Sequence, residues 1–149
     1  MKKLWKLMLL VGFIVTLGAC SKEETTTFEL EIQKGITAEL TYYHKGDKVF
    51  KQTAHNEVDF KTVGIEDKKM AEEMYSPIAK EYEGIKGIEH SLKFTDKNMT
   101  EILTIDYEKL DFDAAKNVPG IMLEGNGKNG VSLKASKELL ESQGFKEKK

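Results

Sequence analysis

The one thiol in this sequence of 149 residues is Cys20, and the residues before it suit a particular chemistry. Leu17-Gly18-Ala19-Cys20 has the form of a lipobox, in which small residues precede a cysteine whose sulfur is lipidated and whose amine becomes the new N-terminus. The surroundings agree. Met1-Lys2-Lys3-Leu4-Trp5-Lys6 is a short basic start, followed by an almost unbroken apolar run from Leu7 to Leu17. That run is roughly half the ~20 residues a spanning helix needs. The layout is that of a cleaved signal rather than a retained anchor. Residues 1–19 are therefore expected to be removed, and the mature chain to begin at Cys20. Acylation consumes the thiol, so no disulfide, thiolate metal site or cysteine nucleophile is expected.

The other chemistry-bearing residues are scattered. The histidines are His44, His55 and His90. His44 falls beside a turn, and His55 about six residues along the next strand, roughly 20 Å away at ~3.3 Å per residue. His90 belongs to a different hairpin, and no local H-E-x-x-H pair exists, so no metal site is expected. Gly125-Asn126-Gly127-Lys128-Asn129-Gly130 spells G-x-G-x-x-G, but a dinucleotide site also needs a second strand carrying an acidic residue about 20 positions on. The sequence ends before such a strand could form, and the glycines read as a turn. Asp111-Phe112-Asp113 lacks the glycine and distal glutamate of a calcium loop. Ser21, Ser76, Ser91, Ser132, Ser136 and Ser142 include no G-x-S-x-G elbow. No catalytic residue and no cofactor is expected.

Every basic side chain is lysine. Without guanidinium groups the chain cannot clamp phosphate or carboxylate in bidentate fashion, which weighs against phosphoryl transfer and organic-acid binding. Loss of Lys2, Lys3 and Lys6 with the signal takes the formal charge from −2 to about −5. An acidic surface is repelled by nucleic acid, and it offers anionic lipid no polybasic attraction.

These residues must be positioned by one domain over residues 28–149, joined to Cys20 by a polar tether, Ser21 to Thr27. Phe28, Leu30 and Ile32 alternate with Glu29, Glu31 and Gln33, which predicts a half-buried strand. Strands follow at about Ile36–His44 and Lys48–Phe60, joined at Lys45-Gly46-Asp47-Lys48, where Gly46 suits a type II′ turn. A two-residue loop would pair Tyr43 with Phe50, and a three-residue loop Tyr42 with Phe50. From Glu66 to Glu83 the spacing becomes helical, with Met70, Met74, Ile78 and Tyr82 every fourth residue and Pro77 a kink or a restart. A second hairpin spans Ile88–Phe94 and Met99–Tyr107, and a last helix runs from about Ser132 to Gln143. Gly144 fits a left-handed stop, with Phe145 folding back on Leu139 or Leu140. Hairpins without βαβ units predict an α+β domain, an antiparallel sheet with helices packed on one face.

The lipobox, the hairpin Thr41-Tyr42-Tyr43-His44-Lys45-Gly46-Asp47-Lys48-Val49-Phe50-Lys51-Gln52, the strand Thr104-Ile105-Asp106-Tyr107-Glu108-Lys109 and the closing Gly144-Phe145-Lys146-Glu147 resemble the YehR family of small bacterial lipoproteins. The resemblance spans essentially the whole mature chain. It implies a two-layer sandwich and brings no catalytic residues to transfer.

The expectation is a non-catalytic interaction or binding module, held by lipid on Cys20 at the extracytoplasmic side of the cell membrane. In a host with an outer membrane, Ser21 after the cysteine would permit transfer there. An extracytoplasmic receptor for a small molecule or peptide is the alternative, and an unrecognised enzyme the third reading. Three observations separate them. A deep pocket with convergent polar groups favours the receptor, and a titratable pair inside a cleft the enzyme. A flat surface with one exposed apolar patch favours the interaction module; Met70 and Met74, with Tyr42, Tyr43, Tyr75 and Tyr82, either line a pliable apolar groove or are helix and sheet core.

Overall fold

The computed structural model describes residues 22–118, 121 and 130–149. Seven strands form one antiparallel sheet: β1 (Glu23–Gln33), β2 (Ile36–Lys45), β3 (Lys48–Asp59), β4 (Ile88–Phe94), β5 (Asn98–Asp106), β6 (Val131–Ser132) and β7 (Lys146–Glu147). Their order is β4-β5-β3-β2-β1-β7, with the short β6 pairing β3 beside β5. Four α-helices accompany it: α1 (Phe60–Val63), α2 (Lys68–Ala79), α3 (Phe112–Ala115) and α4 (Leu133–Ser142).

Period-two alternation divides the sheet cleanly. Phe28, Tyr42, Ala54, Leu103 and Ile105 face inward and pack with Leu140 of α4, while Val58 and Met99 on the same face pack with Ala71 of α2. Both long helices therefore lie on one face, and the chain is the expected two-layer α+β sandwich. Glu29, Glu39, His55 and Glu57 take the intervening positions and form an uncovered outer face.

Two local features depart from the sequence reading. First, β1 begins at Glu23, not Phe28: Glu23 to Thr27 pair with Lys45 to Thr41, so most of the expected tether is strand. Consecutive β-branched Thr25, Thr26 and Thr27 suit a strand, and the Thr27 and Thr41 hydroxyls meet across it at 3.0 Å. Second, Phe50 pairs with neither Tyr42 nor Tyr43. The two-residue loop is correct, with Lys45 opposite Lys48 and a φ of 59° at Gly46. A bulge then sets His44 against Val49 and Tyr43 against Lys51. The carbonyl of the extra residue, Phe50, accepts the Tyr107 N–H at 3.0 Å. A bulge re-aims the strand, and here it serves a third segment.

The end of α4 is the predicted one. Gly144 has a φ of 95°, its N–H donates to the Glu141 carbonyl, and the Phe145 N–H donates to that of Leu140. These are the two bonds of a Schellman stop. Phe145 is half-buried against the cluster that contains Leu140. The start of α4 uses a partner from far away in sequence. Ser132 caps Ala135, and its hydroxyl donates to the Asp47 carboxylate at 2.8 Å; the other Asp47 oxygen accepts from the Lys134 N–H at 2.8 Å.

These bonds favour the charged form, the Lys134 N–H first and the Ser132 hydroxyl second, and hold the Asp47 pKa below its usual value. A depressed folded-state pKa adds stability above the unfolded value, and that stability is lost as pH falls through the folded value. Asp47→Asn is therefore expected to lower the melting temperature at pH 7. The gap between variant and wild type should narrow as pH drops below about 4, the ordinary aspartate range. A gap independent of pH would show that the charge is not what joins the hairpin to α4.

Candidate functional site

On the inner face a half-buried polar cluster joins three strands. His90, Glu101 and Asn56 take inward positions on β4, β5 and β3, where neighbouring strands bring them side by side. A carboxylate only accepts, so His90 donates from Nε2 to Glu101 at 2.7 Å and Asn56 donates from Nδ2 to the other oxygen at 2.8 Å. The Tyr82 ring, just after α2, stacks on the His90 ring at 4.4 Å between centroids and 18° between planes. Burial, and then the Glu101 charge, pushes the Tyr82 phenol up. Among the described residues no buried side-chain nitrogen or oxygen lacks a hydrogen-bond partner. The cluster is satisfied from within, and its work is mechanical: it fixes the C-terminal end of the α2 segment against β4.

That anchoring decides which side of α2 faces out. Asp67 starts the helix by accepting the Met70 N–H at 2.8 Å. The helix runs through Pro77 to Ala79 and tightens into a 3₁₀ turn over Lys80–Tyr82. Pro77 has no N–H for the Glu73 carbonyl and ends the regular ladder rather than the segment. Ala71, fully buried, and half-buried Tyr75 form the packed side. Met70, Met74 and Ile78 remain 37%, 53% and 42% exposed. Residues at i, i+4 and i+8 share one side of a helix, so the three form a continuous apolar stripe. The pairs Lys68–Glu72 and Lys69–Glu73 flank it and balance in charge.

The methionines and tyrosines therefore do not line one common groove. Tyr42 and Tyr82 are core residues, and Tyr43 lies on the outer face with the Lys51 ammonium 3.9 Å from its ring centre. The rows Met70/Met74/Ile78 and Ala71/Tyr75/Ala79 have the same spacing, and periodicity cannot rank them. The small Ala71 lets the backbone approach the sheet, and its row wins.

The remaining predicted residues are placed separately. His44 is buried in the hairpin; the Gly46 carbonyl at 2.8 Å puts the proton on Nδ1, and Nε2 meets the Thr26 hydroxyl at 3.0 Å. His55 is exposed on the outer face near Glu57. Asp111 caps α3 by accepting the Ala114 N–H, and Asp113 pairs with Lys116. Ser132 is a cap, and Ser142 donates to the Leu139 carbonyl. Cys20, the signal 1–19 and Gly125 to Asn129 lie outside the described residues. A half-open surface cavity of about 610 Å³ adjoins β1 and β2, bordered by Glu29, Glu39, His55, Glu57 and Lys148. Charged side chains at its rim pair with one another, as where Lys148 bridges Glu39 and Glu29, and Leu30 and Ala38 add apolar surface. Among the described residues no helix is long and apolar enough to cross a membrane.

The His90–Glu101–Asn56 cluster escaped the sequence reading, yet it left a signal. Asn56 interrupts the inward series Ala54, Val58, and Glu101 the series Met99, Leu103, Ile105; polar residues at inward strand positions need one another.

Comparison with known proteins places this geometry. Residues 24–146 match a family described as a protein of unknown function, DUF1307. The chain is 38% identical to the uncharacterized lipoprotein Lin0239 of Listeria innocua over 148 residues, 99% of this chain and 96% of the relative. It is 33% identical to the uncharacterized lipoprotein YehR of Escherichia coli over 149 residues, 99% of this chain and 97% of that protein. The NMR structure of Escherichia coli YehR superposes with a TM-score of 0.73, covering 86% of this chain and 92% of that one. An NMR structure from Streptococcus pneumoniae, 15% identical over 99% of each chain, shares the fold at a TM-score of 0.60.

Proposed function

The chain belongs to the DUF1307 family, and we propose that it is a non-catalytic docking module of the cell envelope, anchored by lipid on Cys20, that binds a protein partner through the outward side of α2. Its relatives are lipoproteins, and Leu17-Gly18-Ala19-Cys20 supplies the matching acceptor. The observation that carries the docking is the Met70/Met74/Ile78 stripe, apolar yet outside both core clusters. Unbranched, polarisable methionine side chains adapt to the shape of a partner. The charge-balanced flanks fit a protein better than an anionic bilayer, which would call for surplus lysine. The self-satisfied His90–Glu101 pair supports a positioning rather than a chemical role.

The test is Met70→Ser/Met74→Ser/Ile78→Ser in the full-length protein. Each position is exposed, so each change should cost within ~0.5 kcal/mol, and the variant should melt close to wild type. Wild type, gently extracted from membranes, should migrate on a native gel as part of a larger particle, and the triple variant as a smaller one. Equal particle sizes would refute docking through α2.

A further inference from the structure

The geometry points to a fixed orientation on the membrane: the sheet end carrying the Gly46–Asp47 turn faces the bilayer and rests on its headgroups. This rests on the lipid anchor proposed above and adds which surface meets the lipid. Glu23 is already a paired strand residue, opposite Lys45 at the end of β2. Only Ser21 and Lys22 lie between it and Cys20, three residue steps along the chain. At ~3.5 Å per residue, that chain spans at most ~10 Å, less than half the reach of the expected tether.

The same end gathers the Gly46–Asp47 turn, β6 against Lys48 and Val49, and the first turn of α4. The opposite end holds the Lys34–Gly35 turn, α1 and the Thr95–Lys97 turn. The ten residues of β2 separate the two ends, a distance of roughly 30 Å at ~3.3 Å per residue. The distal turns therefore meet the bilayer only if the whole domain lies on its side.

Charge argues against the domain lying on its open side. The outer face carries more acid than base even with Lys148 bridging Glu29 and Glu39, since Glu31 and Glu57 add to the surplus, and anionic headgroups repel that surplus. The tip presents exposed Lys22, Lys45, Lys48 and Lys134. Of its acids, Glu23 is engaged by Lys45 and Asp47 by Ser132 and the Lys134 N–H, while Glu24 stays exposed, so these four lysines outnumber the three carboxylates. In this orientation α2 starts at the distal end and descends toward the membrane, so its stripe runs along the membrane normal and meets a partner from the side.

Lipidation occupies the only native thiol, so one introduced cysteine can be labelled alone. Full-length lipidated Lys48→Cys and Lys97→Cys, each carrying a fluorescent donor, are incorporated into phosphatidylcholine–phosphatidylglycerol vesicles that carry a headgroup-attached acceptor. Flotation comes first: the lipidated protein should rise with the vesicles and Cys20→Ala should not. Failure there overturns the anchor, and the orientation with it. In protein that floats, energy transfer should be strong from position 48 and weak from position 97. Equal or reversed efficiencies would leave the anchor standing and overturn the orientation.

Discussion

Gly87→Ala is expected to destabilise the domain by more than ~2 kcal/mol, one of the two largest effects of a single substitution anticipated in this chain. Gly87 has a φ of 86°, a left-handed conformation that costs a residue with a Cβ roughly 1–2 kcal/mol by itself. A Cβ there would also lie 2.6 Å from both the N and the Cα of Leu110 and 2.9 Å from the Asp106 carbonyl oxygen. These are backbone atoms, and no rotamer change relieves the overlap. The segment is pinned on both sides, since the Gly87 carbonyl accepts the Asp106 N–H at 2.8 Å and the Lys86 carbonyl that of Asp111 at 3.0 Å. Gly84 is the built-in control. Its φ is 76°, but nothing lies within 4 Å of its Cβ position. Gly84→Ala should therefore show the conformational cost alone. Chemical denaturation of the two variants checks this, and equal losses would mean that the close approach at Leu110 is absent in solution.

Phe28→Ala is expected to cost ~3–5 kcal/mol, the range for removing a fully buried aromatic ring. Phe28 has no exposed surface and meets Tyr42 edge-on, with centroids 6.0 Å apart and planes at 73°. It joins β1 to α4 through the cluster containing Leu140, and Phe28 itself pairs with Glu147 of β7. Its loss leaves a cavity where sheet, helix and C-terminal strand meet. Ile32, four residues on in the same strand, is 58% exposed, and Ile32→Ala should stay within about 0.5–1 kcal/mol of wild type. Similar costs at the two positions would contradict the placement of the covered core at Phe28 rather than at the Ile32 end of β1.

How much of this was legible in the sequence depends on how local the determining contact is. The hairpins, the two-residue loop at Gly46-Asp47 and the Gly144–Phe145 stop each depend on neighbours within a few residues, and each was readable. So was the antiparallel sheet with helices on one face, because Phe28 and Leu30 alternate with Glu29 and Glu31 and the hairpins lack βαβ units. The two-residue strands β6 and β7 were not, since their pairing depends on β3 and β1, distant in sequence. The Asp47–Ser132 cap joins residues 85 positions apart. The bulge at Phe50 answers to Tyr107, and the early start of β1 to the far end of β2. The candidate site was half legible. Met70, Met74 and Ile78 stood out by spacing, but the choice between their row and that of Ala71 is made by packing against β4. Tyr82 and the half-buried His90–Glu101 pair hold the helix in that rotation, and their contacts cross three separate segments.

The central claim is that the outward side of α2 is occupied by a protein in the membrane. Site-specific photo-crosslinking in intact cells tests it most directly, with a photoreactive amino acid placed at Met74 in one strain and at Ile102 on the outer sheet face in another. Both positions are about equally exposed, at 53% and 44%, so a difference reports a partner rather than accessibility. The account predicts a discrete protein adduct from position 74, lost when Met70 and Ile78 are changed to serine, and none from position 102. Adducts of equal yield from both positions, or none from position 74, would contradict it.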